Sequence, residues 1–108
     1  MDDDDVLLVL CSFASVQQAQ MVAKALVDEN LAACVSLLPG VQSFYRWEGA
    51  LHSETEAVAI IKTTSRVYAT LETRIRALHS YQVPEIVCVA VKEGLPAYLD
   101  WVRASCSP

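Results

Sequence analysis

Apolar residues follow two rhythms along this chain, and each change of rhythm marks an element. Val6–Phe13 is a near-continuous apolar run, which predicts a central strand covered on both faces. Ser15-Val16-Gln17-Gln18 then fits a capping box, S-x-x-Q, whose side chains satisfy free N–H groups at a helix start. Val16, Ala19, Ala23 and Leu26 recur at helical spacing, and the helix is expected to end near Glu29-Asn30. A second strand is expected over Ala32–Leu38. Pro39-Gly40 interrupts it, because Pro cannot donate to a ladder and Gly permits a bulge, and it resumes over Val41–Trp47.

Glu48-Gly49 supplies a turn, and Leu51–Thr64 returns as a third strand. Along it Glu56, Val58, Ile60 and Lys62 share one face, and Ala57, Ala59, Ile61 and Thr63 the other. Ser65–His79 reads as a second helix with Val67, Leu71, Ile75 and Leu78 on one stripe, and Pro84 lies in its exit loop. Glu85–Lys92 is a fourth apolar strand. Gly94 and Pro96 precede a short helix carrying Leu99 and Val102.

The predicted order is βαββαβ plus a helix. Two such halves with helices on one face of an antiparallel sheet make an α+β, ferredoxin-like fold with an extra C-terminal helix. Residues 1–5 are expected to be a solvated, disordered acidic tail, and residues 6–108 a single domain. The second and third strands exceed the usual length of about five or six residues, so their hairpin is an arm able to reach beyond its own domain.

Composition adds a partner. The chain has 108 residues, of which 54% are hydrophobic. So small a domain buries only part of its surface, and the apolar surplus calls for another copy of the chain. A membrane is not expected. Runs such as Val6–Cys11 fall far short of the roughly 20 residues a spanning helix needs. Asp2–Asp5 have the wrong sign for the n-region of a secretory signal. Nucleic acid is not expected either, since the net charge is −5 and the eight Lys and Arg residues are scattered. Of the four cysteines, Cys11, Cys34, Cys88 and Cys106, none forms a C-x-x-C pair, so a zinc knuckle is not indicated. Reduced thiols and a cytoplasmic location are expected.

Several blocks together resemble one family. They are Leu31-Ala32-Ala33-Cys34-Val35-Ser36-Leu37-Leu38-Pro39-Gly40, Ser43-Phe44-Tyr45-Arg46-Trp47-Glu48-Gly49, Glu56–Thr64, Tyr81-Gln82-Val83-Pro84-Glu85 and Tyr98-Leu99-x-Trp101. They are similar to the blocks of the CutA, or divalent-cation tolerance, family from about Val6 to Val102. The resemblance implies a cytoplasmic homotrimer similar in shape to the PII signalling proteins. It also implies a link to tolerance of divalent cations, copper especially, with no cofactor required and no established catalytic reaction.

Cys11 and His79 are the residues the resemblance marks as metal ligands. Thiolate is a soft ligand that suits Cu(I) or Zn(II), but a buried core cysteine in a V-L-C strand is the favoured reading, because burial without a nearby cation keeps the thiol protonated. His79 follows Leu78 where some members carry a second histidine, so a two-histidine site is lost. A solvated imidazole favouring the helix C-terminus is its other reading. Cys34, among small neighbours, reads as core.

A polar and aromatic group, Tyr45, Trp47, Glu56, Lys62, Tyr81 and Glu85, is expected to line a cleft between subunits. Its two readings are a pocket for an anion or a metal, and a network that only fixes assembly. Two rival functions follow. One is a PII-like signalling trimer that senses a small anion and binds a partner protein, disfavoured by the short turn at Glu48-Gly49. The other is an acylphosphatase-type enzyme, disfavoured because Cys11–Ser15 holds neither glycine nor arginine to cradle phosphate.

Overall fold

The computed structural model describes residues 2–107. Its elements are β1 (Val6–Phe13), α1 (Val16–Asp28), β2 (Cys34–Trp47), β3 (Ala50–Thr64), α2 (Ser65–Leu78), β4 (Ile86–Ala90) and α3 (Pro96–Ser105). The sheet is antiparallel throughout, in the order β2-β3-β1-β4. This is the ferredoxin-like α+β arrangement with an added C-terminal helix.

Register decides which residues enter the core. Leu7, Val9, Cys11 and Phe13 of β1 face the helices, beside Ala57, Ala59, Ile61 and Thr63 of β3, and all are buried. Ala19, Val22 and Leu26 of α1, Val67, Leu71 and Ile75 of α2, and Val102 of α3 close the layer from above. In α1 the inner stripe runs through Val22, and Ala23 is only half-buried. Helices cover one face of β1, not two: Leu8 and Leu10 on its other face are half-buried in the single chain.

The helix ends show why some boundaries differ from the sequence expectation. Ser15 Oγ accepts the Gln18 N–H at 3.1 Å, which is half of a capping box. The Gln18 side chain turns elsewhere and accepts from Ser80 Oγ at 3.0 Å. At the far end Asn30 takes φ 60°, Leu31 N–H reaches Leu26 O and Asn30 N–H reaches Val27 O. That is a Schellman cap. It draws Leu31 and Ala32 into the helix exit, so β2 starts at Cys34 and not at Ala32.

Strands β2 and β3 span 14 and 15 residues and carry the molecule to a length of 44 Å. A bulge between Leu38 and Val41 shifts their register. The chain passes through it without a break, because Gly40 takes φ 70°. Glu48 (φ 51°) and Gly49 (φ 81°) both turn left-handed at the tip, the pattern of a type I′ hairpin.

Residues 2–5, expected as a solvated tail, make backbone contacts with the start of α2, and residue 1 lies outside the described residues. Asp5 N–H closes a turn on Asp2 O at 3.0 Å. The carbonyls of Asp5 and Asp3 then accept the N–H groups of Ser65 and Arg66 at the start of α2. Thr64 supplies no side-chain cap there, so these carbonyls do the capping. Arg66 pairs with Asp4 at 3.3 Å, and Arg103 Nε donates to Asp4 O at 2.8 Å.

Candidate functional site

Beyond the bulge, one face of the arm presents Val41, Ser43, Tyr45 and Trp47 opposite Glu56, Glu54, His52 and Ala50. The loop after α2 comes back alongside this face. Its first residue, His79, caps α2 and stacks on Phe13 with ring centroids 4.6 Å apart. Tyr81 N–H donates to His79 Nδ1 at 3.0 Å. That contact puts the ring proton on Nε2, which donates to Ser12 O at 2.7 Å. Both ring nitrogens of His79 are therefore engaged.

His79 sets the position of Tyr81, whose ring lies 4.8 Å away. Tyr81 reaches across the cleft and donates its hydroxyl to Glu56 Oε2 at 2.6 Å. Ser12 Oγ lies 3.4 Å from Glu85 Oε1 on the opposite wall. Between arm and loop is a cleft of about 650 Å³, lined among others by Ser12, Tyr45, Trp47, Glu56, Tyr81 and Glu85.

Five of the six residues expected at a pocket thus meet in one chain. Lys62 does not. It lies further along β3 and spends its ammonium on Ser36 Oγ at 2.7 Å, with Cys34 Sγ at 3.7 Å. Without it the described lining of the cleft carries two carboxylates and no basic residue, which repels an anion. Burial, and then the hydrogen bond and charge of Glu56, push the Tyr81 hydroxyl well above the ordinary range. Burial and Glu54 push Tyr45 the same way.

Cys11 sits behind this cleft, in the core. Burial, and next the Glu85 charge, push its thiol up from 9.0 to about 12. Its Sγ lies 4.0 Å from Ser12 O, the carbonyl that His79 also holds. Cys34 is half-buried on the other face of the sheet, not in the helix-facing core. Among the described residues, no three His, Cys, Asp or Glu side chains converge to hold an ion.

Sequence reasoning missed Ser12, which supplies its carbonyl to His79 and its hydroxyl to Glu85. The signal was available as the one hydroxyl in the apolar run Val6–Phe13. Phe44, Gln82 and Val83, which also line the cleft, had no comparable mark.

The sheet order, the one-sided helices and the long bulged arm define a ferredoxin-like protein whose distinctive cleft lies at the base of the arm. Residues 7–105 match the family model of the CutA1 divalent ion tolerance protein. A divalent-cation tolerance protein CutA of Thermus thermophilus is 46% identical over 96 residues, covering 89% of this chain and 93% of the relative. One from Archaeoglobus fulgidus is 39% identical, covering 82% and 85%. Among solved structures, Cut A1 of Thermus thermophilus superposes with a TM-score of 0.92 at 43% identity, covering 94% of this chain and 99% of that one. CutA from Xylella fastidiosa gives 0.93 at 39% identity, covering 95% and 99%. The chain belongs to the CutA1 divalent ion tolerance family.

Proposed function

We propose that the chain acts as a homotrimer in divalent-cation tolerance and binds copper through Cys11 and His79. Family membership supports the role, since its relatives carry divalent-cation tolerance in their names. The observation that carries the site is that the Cys11 thiol and the His79 imidazole approach the same carbonyl, Ser12 O, at 4.0 and 2.7 Å. Thiolate and imidazole together suit copper, because a soft sulfur favours Cu(I) and divalent affinity peaks at Cu(II). The cytoplasm, which keeps thiols reduced, suits the four unpaired cysteines.

Two costs make the site weak. The metal must displace His79 Nε2 from Ser12 O, and it must take a thiol proton that burial holds firmly. Two donors per chain also fall short of the roughly four of a closed zinc site, so copies must share or water must complete the shell.

Calorimetric titration of the reduced protein with Cu(I), Cu(II) and Zn(II) tests this. Copper is expected to bind more tightly than zinc, with affinity falling as pH drops because both ligands bind deprotonated. Cys11→Ser and His79→Ala should each reduce uptake. Chelator should leave the melting temperature nearly unchanged, because the core needs no ion. Undiminished binding in the double variant would place the ligands elsewhere and end this reading.

A further inference from the structure

The cleft at the base of the arm holds an unbalanced charge. Glu56 is only 8% exposed, and its hydrogen bond comes from a neutral hydroxyl, that of Tyr81. Among the described residues no Lys, Arg or His forms an ion pair with Glu56, and the second carboxylate, Glu85, meets only the Ser12 hydroxyl at 3.4 Å. A carboxylate so far out of water calls for a positive partner. The space in front of it is lined by Tyr45, Trp47 and Tyr81. Aromatic faces carry negative potential and attract a cation that has shed part of its water.

We propose that this cleft binds a small organic cation: an alkylammonium or guanidinium group carried on a short apolar body. Its volume of about 650 Å³ falls within the range of small-molecule pockets, roughly 300–1,000 Å³. A bare metal ion fits less well, because no third His, Cys, Asp or Glu joins the two carboxylates among the described residues. Organic cations need no such cage, since one end pairs with Glu56 while the body lies on the rings. Cys11 and His79 do not line this cleft, so the proposal stands apart from the copper site.

Titration of the intact protein with putrescine and agmatine, against butane-1,4-diol as the uncharged counterpart of putrescine, tests it by calorimetry. Trp47 fluorescence in a Trp101→Phe background gives a second readout. Both amines should bind saturably and shift the Trp47 emission, and added salt should weaken them. The diol should not bind. Glu56→Gln keeps the shape and an acceptor for Tyr81, and should lose at least tenfold in amine affinity, with folding checked by circular dichroism. Equal binding of amine and diol, or full amine affinity in Glu56→Gln, would overturn the proposal. So would amines that fail to bind at all, which is the result expected if a basic side chain of a second copy fills the cleft.

Discussion

Ser12 is the residue on which core and cleft meet. Its carbonyl fixes His79, its hydroxyl faces Glu85, and its neighbour Cys11 is fully buried. The Cys11 thiol has an ordinary value of 9.0 and is pushed up to about 12 in the folded chain. The folded state therefore holds this proton more tightly than the unfolded state does. Its contribution to stability is complete below pH 9.0 and is lost as pH rises through the window to about 12. Tyr68, pushed up from 10.0 to about 12 by burial and then by Glu72, acts in the same direction. Urea unfolding followed across this alkaline range should show the midpoint falling, and less steeply in Cys11→Ser. A thiol reagent at neutral pH should modify Cys11 only at the rate of unfolding. Labelling of the native protein at the rate of a free thiol would contradict the packing described for β1.

At the scale of elements, the acidic segment before β1 acts through its backbone more than through its charges. The ion pairs of Arg66 with Asp3 and Asp4 join side chains that are half or more exposed, and such pairs contribute little. The carbonyls of Asp3 and Asp5 cap α2, and a lost cap costs about 1 kcal/mol. Asp3→Asn with Asp4→Asn should therefore change stability by less than about 0.5 kcal/mol, while deletion of residues 2–4 should cost about 1 kcal/mol. Thermal unfolding of the two variants separates these accounts, and an equal loss in both would restore the charges as the cause. None of this was visible in Asp2–Asp5, where four like charges read as solvated chain, because the contacts that order them lie some sixty residues away.

The strands, by contrast, were readable. Alternation along Glu56–Thr64 assigned the faces of β3 correctly, and Pro39-Gly40 marked the bulge. The element boundaries were less so: the Schellman cap that moved the start of β2 depends on one left-handed backbone angle at Asn30. The cleft was readable in its aromatic and acidic members because they interrupt an apolar register. Lys62 was grouped with them by face alone. Strand rise separates it from Glu56 by about 20 Å, and its partners are Ser36 and Cys34 across β2.

At the scale of the whole molecule, one side of the sheet remains open. Leu38 with Val58, Ile60 with Leu10 and Val87, and Leu8 with Val89 form cross-strand rows on the face away from the helices. Leu38, Val87 and Val89 are each about half exposed in the single chain, at 47%, 51% and 55%. Trp47 on the arm, and Tyr98 and Trp101 on α3, add exposed rings. A contiguous apolar sheet face with a projecting arm is a surface for association, and closed rotational symmetry lets each copy cover the next. Burial of this face in a homotrimer is the claim on which the reading of assembly and cation handling rests. Light scattering on the eluting peak of a sizing column, with the protein at micromolar concentration, tests it most directly. The account predicts a mass three times the 11.8 kDa of the chain, unchanged by chelator. A stable species at 11.8 kDa would contradict it.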